Sequence, residues 1–291
     1  MQLETIVRGE GIDEKRFLAE YFNKGIPVVI NNFIDKRSSA LTHWDYNFLK
    51  EKVGHLSVNL YGREDEFNDF VTSPPTMKDV PFGDYLDMIA QGSTELRLFL
   101  FNLLQKVPSL KDGFVINDLT GGNVLKWLPY LFFGGAGSTV RYHYDIDMSH
   151  VFLSQLHGIK EVWLFAPDQS PLLYKLPFNF HGTVNLRSPD YENYPGLHYL
   201  KGWKCTLQKG DTLYIPSGYW HYIQYTTGGY SVSYRALSDS VIDKLAGFRN
   251  IFITRKFDNI MRRIMKEQWF EYKLRQSFKT AHKKINELTA N

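Results

Sequence analysis

Gly210-Asp211-Thr212-Leu213-Tyr214-Ile215-Pro216-Ser217-Gly218-Tyr219-Trp220-His221 is the stretch on which the reading of this chain rests. It reads as a turn at Gly210-Asp211, a short apolar strand, a tight turn at Pro216-Ser217-Gly218, and the start of a new strand carrying His221. Upstream, His143-Tyr144-Asp145 lies in a similar strand-like stretch. Side chains alternate faces along a strand, so His143 and Asp145 point inward together while Tyr144 points out. His221 must come from a different strand, and an antiparallel barrel can bring that strand alongside the first. Two histidines and one carboxylate are the ligand set of a mononuclear non-haem Fe(II) site with open coordination positions. Zn(II) accepts the same donors, so the ligands alone leave the metal open. With nine histidines in the chain, a His-x-Asp arises easily by chance. The 210–221 context is what singles this one out. Asp147 and His150 are the alternative ligands.

Working outward, the pattern from about residue 125 is strand, turn, strand. Strands are expected at 127–133, 140–145, 151–156, 161–165, 204–207, 212–215, 219–225 and 230–236, with a tight turn over 134–138. Many short strands with Gly and Pro turns predict a mainly β fold, a double-stranded β-helix. The N-terminal part is mixed. It has helices at 12–24 (capped by Asp13), 44–53 and 82–89, strands at 27–30, 57–61 and 96–101, and a polar loop at 62–80. After Ser238 the period becomes helical, with Phe257, Ile260, Met261, Ile264, Met265 and Leu274 forming an apolar stripe. The expected division is a catalytic domain over 1–240 and a helical element over 241–291.

Of the 291 residues, 43% are hydrophobic and 15% aromatic, ample for a packed core. No apolar run approaches the length of a membrane-spanning helix, and the N-terminus does not read as a secretory signal. The single cysteine, Cys205, reads as an inert strand residue and fits a reducing cytoplasm. Net charge is +3 but uneven: residues 241–291 carry 12 Lys and Arg against 5 Asp and Glu, a net of +7, which leaves −4 for the rest.

The chain resembles the Jumonji C-type, cupin-like 2-oxoglutarate oxygenases, the branch with asparaginyl hydroxylases and tRNA wybutosine hydroxylases. The resemblance runs from about Phe17 to Leu237. It rests on the segments 21–30, 155–167 and 188–195 and on the His221 motif, in the expected order. It implies a cupin jelly roll holding Fe(II) through His143, Asp145 and His221, with 2-oxoglutarate and O2 as co-substrates. The expected outcome is hydroxylation coupled to decarboxylation of 2-oxoglutarate to succinate.

The family's cation for the far carboxylate of 2-oxoglutarate falls on Lys160. An ammonium in a strand followed by Val162, Trp163, Leu164 and Phe165 is costly to bury without an anion, which gives an independent physical reason to suspect a ligand. Arg235 is the rival, since arginine grips carboxylates bidentately. Three positions depart from the family. Val140 stands at the usual threonine, with Thr139 beside it. The family's asparagine has no clear counterpart, Ser149 or Val151 falling nearby. Phe99 replaces a tyrosine. Tyr142, Tyr144, Tyr219, Trp220 and Tyr222 suit a substrate cleft or a barrel core equally. His157, His181 and His198 read as ordinary surface or loop histidines.

Two other functions compete: a cupin metalloenzyme that uses no 2-oxoglutarate, and a non-catalytic binding module, against which the intact ligand triad speaks. No zinc-finger or chromatin-reader pattern accompanies the domain, which disfavours histone demethylation. The prime substrate stays open among a protein side chain, a tRNA base and a small molecule. The tail is expected to make a homodimer through its helices, with nucleic-acid or lipid binding by its basic face as the alternative.

Overall fold

The structure, a computed structural model, describes residues 1–62, 75–92 and 94–290. Its strands are β1 (Gln2–Thr5), β2 (Arg8–Gly9), β3 (Val28–Ile30), β4 (Ser57–Leu60), β5 (Met77–Pro81), β6 (Arg97–Phe101), β7 (Tyr130–Gly134), β8 (Thr139–His143), β9 (His150–His157), β10 (Lys160–Phe165), β11 (Lys201–Leu207), β12 (Thr212–Ile215), β13 (Trp220–Tyr225) and β14 (Gly229–Ala236). A five-stranded sheet has the order β1-β11-β10-β13-β8, and a seven-stranded sheet the order β2-β3-β12-β9-β14-β7-β6. From β8 onward the chain crosses repeatedly between the two sheets. This is the double-stranded β-helix of the cupins, and the mainly β reading of the barrel holds.

Both faces of both sheets are covered, which is why the central strands read as unbroken apolar runs. Val151 and Leu153 of β9 point between the sheets and meet Val162 and Leu164 of β10, while Phe152 and Leu156 point outward. The outer face of the large sheet is covered by α1 (Glu14–Phe17), α2 (Ser39–Thr42), α3 (Tyr46–Val53), α4 (Phe82–Gln91) and α5 (Leu103–Lys106). There Phe33 stacks on Phe152 with centroids 4.4 Å apart, and truncating Phe152 to alanine would cost about 3–5 kcal/mol. The outer face of the small sheet is covered by the 166–200 excursion and by the C-terminal helices. β14 alternates in the opposite sense. Tyr230, Val232, Tyr234 and Ala236 pack outward, while Ser231, Ser233 and Arg235 turn to the interior.

Asp13 caps α1 as expected, accepting from the Arg16 amide, and the helix continues to Phe22 through a wider π-type turn. α3 begins at Tyr46 because Asp45 caps it. The expected loop over 62–80 needs correction: Met77–Pro81 is a strand paired with β4, and residues 63–74 lie outside the described residues. The strand expected at 127 starts only at Tyr130, leaving Trp127 exposed. β1, unforeseen, pairs in parallel with β11.

After Ser240, whose hydroxyl caps the first of them, come α6 (Val241–Arg249), α7 (Arg255–Met265) and α8 (Glu267–Thr289). α8 packs onto the barrel. Ala281 is buried in the cluster outside the small sheet, and Lys273 pairs at 2.9 Å with Asp258 of α7, both fully sequestered. No helix is long and apolar enough to cross a membrane among the described residues.

Candidate metal centre

β8 and β13 are neighbours, and their register sets His143 directly opposite His221. Asp145 follows two residues past the end of β8, so it returns to the His143 side. The ligand atoms of His143, Asp145 and His221 all lie within 4.8 Å of one another, the one such cluster among the described residues. Tyr144 does point away, as alternation requires. It ends in a buried cluster against Phe180 and Trp220 rather than in solvent.

The imidazoles test whether a cation fits. His143 Nδ1 lies 2.9 Å from the Arg141 carbonyl, and His221 Nδ1 lies 3.2 Å from the Tyr219 carbonyl. A carbonyl only accepts, so each Nδ1 carries a proton, and in the neutral form of each ring Nε2 keeps a lone pair. Those two Nε2 atoms face each other at 3.0 Å. Two lone pairs aimed at one point repel unless a cation sits between them, and backbone-anchored Nδ1–H groups are the usual support of metal-bound histidine. Burial, first, and the neighbouring His143 hold His221 neutral, its pKa lowered to about 3. Burial would raise the Asp145 pKa, but Arg235 and the two histidines outweigh it and bring it to about 2. The set therefore offers the neutral His221 nitrogen and the ionised Asp145 oxygen, with the His143 Nε2 aimed at the same point.

Arg235 is where the expectation changes. Its Nη2 donates to Asp145 Oδ1 at 2.9 Å, and its Nη1 donates to Asp147 at 2.9 Å and to Ser149 Oγ at 2.8 Å. The guanidinium borders the cavity but is committed to carboxylates. Its geometry is that of a clamp on Asp145. The turn 145–149, with Met148 at φ 55°, aims Asp147 at it. Asp147 also accepts from the Ser149 hydroxyl, so Ser149 is spent inside this turn and does not line the cavity. Thr139 does not reach the cavity either. It pairs with Gln224 at the far end of β8, and Val140 lines the wall in its place. His150 fastens the 216–218 turn: its Nδ1 lies 2.8 Å from the Tyr214 hydroxyl and accepts the Ser217 amide. Asp147 and His150 are thus occupied and stand apart from the ligand cluster.

Lys160 opens β10 and turns inward, and it lines the same cavity as the triad. It is 1% exposed, and its ammonium has no carboxylate partner among the described residues. It donates to Ser231 Oγ at 2.6 Å and lies over the Tyr225 ring, 4.3 Å from the centroid. Burial alone lowers its pKa from 10.5 to about 7. The cavity measures about 360 Å³, within the range of small-ligand sites, and Phe99 forms part of its wall.

Several residues escaped the sequence reading. Ser231 was legible in principle, because the alternation of Tyr230, Val232 and Tyr234 against Ser231, Ser233 and Arg235 turns three polar side chains inward. His181 is not a surface histidine: it is 5% exposed, lines the cavity, and bridges to His143 across the backbone. No local pattern announces that bridge. It depends on Gly182, where any Cβ would meet the Tyr142 ring. His157 packs between Tyr46 and Tyr230, and His198 on Tyr191. Tyr142, Tyr144, Trp220 and Tyr222 are core residues outside the small sheet. Cys205 is buried, which pushes its thiol up to about 12 and keeps it unreactive.

This fold, with a triad of side chains suited to a metal ion, defines a cupin-type protein of the Jumonji C kind. Residues 14–240 match the family model described as "Cupin-like domain", and the chain belongs to that family. It is 27% identical over 243 residues to lysine-specific demethylase JMJ30 of Arabidopsis thaliana, covering 79% of this chain and 54% of that protein. It is 30% identical over 239 residues to lysine-specific demethylase 8 of Xenopus tropicalis, covering 76% and 50%. It is 23% identical over 231 residues to tRNA wybutosine-synthesizing protein 5 of Gallus gallus, covering 73% and 70%. The chain spans about half the length of the relatives it matches first. At family level these are Fe(II)- and 2-oxoglutarate-dependent oxygenases acting on proteins or tRNA.

Proposed function

We propose that this chain is a hydroxylase using Fe(II), 2-oxoglutarate and O2. The observation that carries the reading is the buried Lys160 ammonium, without an ion pair among the described residues, in the cavity that also holds His143, Asp145 and His221. His143, Asp145 and His221 would hold the metal, and Lys160 would take the far carboxylate of 2-oxoglutarate. When bound, iron and 2-oxoglutarate supply the oxidising chemistry that consumes O2, releases succinate and hydroxylates the substrate. The chain's part is placement. Arg235 orients Asp145, the Arg141 and Tyr219 carbonyls orient the two imidazoles, and Ser231 steadies Lys160. An ammonium buried without an anion is unfavourable, and a dianion that reaches it while chelating a metal relieves that cost. Val140 and Val151 bring no polar side chain to the cavity wall and Thr139 and Ser149 do not reach it, so polar anchoring falls to Lys160 together with other lining groups such as Arg141 and Ser233.

The test is anaerobic titration with Mn(II) and then 2-oxoglutarate, followed by succinate formation by the Fe(II) protein in air. Metal binding without 2-oxoglutarate binding would favour a cupin metalloenzyme of another chemistry. Loss of both would favour a binding module. The prime substrate is proposed among protein side chains, tRNA bases and small molecules; similarity to lysine-specific demethylases and to a tRNA wybutosine-synthesizing protein supports the first two.

The catalytic unit over 1–240 and the element over 241–291 are proposed to act together as a homodimer. Ile242, Leu245, Phe248, Phe252, Ile253 and Ile264 are exposed along α6, the π-type turn 250–254 and α7, an apolar surface of the kind that a partner covers. A monomer in light scattering at micromolar concentration would refute this. Salt-dependent RNA binding by that monomer would favour the basic-face alternative.

A further inference from the structure

The strongest unassigned feature is a chain of contacts running from the C-terminal helices to the cavity. Lys273 of α8 is fully buried, and its ammonium donates to Asp258 Oδ1 at 2.9 Å and to Asn179 Oδ1 at 3.0 Å. Asn179 Nδ2 lies 3.4 Å from His181 Nε2. The donor and acceptor roles along this chain are forced. An ammonium can only donate, so the Asn179 oxygen must face Lys273. The amide nitrogen then faces His181, and since that nitrogen can only donate, His181 Nε2 must accept. The proton of a neutral His181 therefore sits on Nδ1. An imidazolium would turn a second N–H toward that donating amide nitrogen, so the contact itself selects the neutral ring. Nδ1 has no hydrogen-bond partner among the described residues. Opposed residues of an antiparallel bridge show their side chains on one face, so the His181 ring stands beside His143 on the cavity side.

We propose that His181 is a neutral hydrogen-bond donor of the cavity, its Nδ1–H offered to an acceptor oxygen of the prime substrate, with the tautomer imposed by Lys273 through Asn179. A substrate that presents a carbonyl oxygen beside the reacting carbon fits this donor. One that presents only N–H groups there does not. His181 is thereby a substrate-binding residue, and Asn179 and Lys273 are positioning residues that link the helical appendage to the site. The inference rests on the metal-centre reading of the previous subsection.

The experiment is nitrogen-15 NMR of the full chain labelled at histidine and loaded with Zn(II) and 2-oxoglutarate. The His181 signals are assigned by their loss in His181→Gln. The expected wild-type result is a protonated Nδ1 and a bare Nε2. Asn179→Asp replaces the donating NH2 with an accepting oxygen at nearly constant shape, and Nε2 should then carry a proton. N-methylacetamide, as a carbonyl probe, should shift the wild-type Nδ1–H signal. A wild-type Nε2–H tautomer, or a folded Asn179→Asp protein with an unchanged one, overturns the relay. An Nδ1–H signal unmoved by the probe overturns the substrate assignment. Zn(II)-induced shifts at His143 and His221 check the metal-centre reading on the same sample. With those shifts present, a failed tautomer sinks this inference alone. Without them, the metal reading fails.

Discussion

Replacing Lys160 by methionine should make the free protein more stable while ruining its hold on 2-oxoglutarate. In the free protein the buried ammonium has one hydroxyl and one aromatic face for company, and its pKa falls from 10.5 to about 7. At about 1.4 kcal/mol per pKa unit, the charged form costs the fold about 5 kcal/mol below pH 7. Methionine has similar length and no charge, so it removes that cost. It also strips Ser231 of its partner, which gives back about 1–3 kcal/mol. The net expectation is a gain of about 2–4 kcal/mol, or several degrees in Tm at ~2–4 °C per kcal/mol for a chain of this size.

The sign with pH follows from proton binding. The unfolded lysine keeps its proton up to pH 10.5 and the folded one loses it near 7, so wild-type stability rises between about 7 and 10.5. The variant lacks that rise. Binding should move the other way. Losing one partner of a buried ion pair costs about 3–5 kcal/mol, or between about a hundredfold and several thousandfold in 2-oxoglutarate affinity. Thermal melts of the free protein at about pH 6 and pH 9, with anaerobic calorimetry of 2-oxoglutarate on the Mn(II) protein, read both halves. A lower Tm for Lys160→Met together with unchanged 2-oxoglutarate affinity would refute the reasoning.

Four further outcomes are expected. Wild-type 2-oxoglutarate affinity should weaken as pH rises above about 7, by up to about tenfold per unit, because binding must then recharge Lys160; calorimetry across pH shows it, and a flat profile points to another anchor. Asp145→Ala should abolish Mn(II) binding in anaerobic titration, since two imidazoles hold a divalent ion poorly; retained binding would place the ligands elsewhere. Arg235→Gln frees Asp145 from its clamp and should weaken metal affinity about 10–100-fold while changing 2-oxoglutarate affinity far less than Lys160→Met does. Paired Ile242→Glu and Phe248→Glu changes put charges on the exposed stripe and should turn the proposed dimer into monomers in light scattering without lowering Tm, since neither side chain is buried in one chain.

Local chemistry wrote much of this protein into its sequence. The period-2 spacing of His143 and Asp145, the turn chemistry around Pro216-Ser217-Gly218 and the short apolar runs of β9, β10 and β12 are each local, and each survives in the structure. Caps such as Asp13 are legible for the same reason: their partners lie within one helical turn. A lysine embedded in an apolar strand is legible as an anomaly, because burying a charge is costly wherever the strand ends up.

What the sequence could not decide depends on partners distant along the chain. Arg235 reads as a carboxylate-gripping cation, and only the fold shows that the carboxylates it grips are Asp145 and Asp147, some 90 and 88 residues away. Thr139 and Ser149 are plausible polar contacts until strand register and a turn carry them out of the cavity. His181 becomes a cavity residue because a bridge to His143 and the space left by Gly182 place it there. The α7 part of the stripe, Phe257, Ile260 and Ile264, is visible as a period, but its exposure follows from α8 taking the place on the barrel. The exposed apolar residues of α6 are not part of that period. Alternation and turn geometry act over a few residues and so can be read directly. Register, ion-pair choice and which face is covered are settled by contacts between segments that only folding brings together.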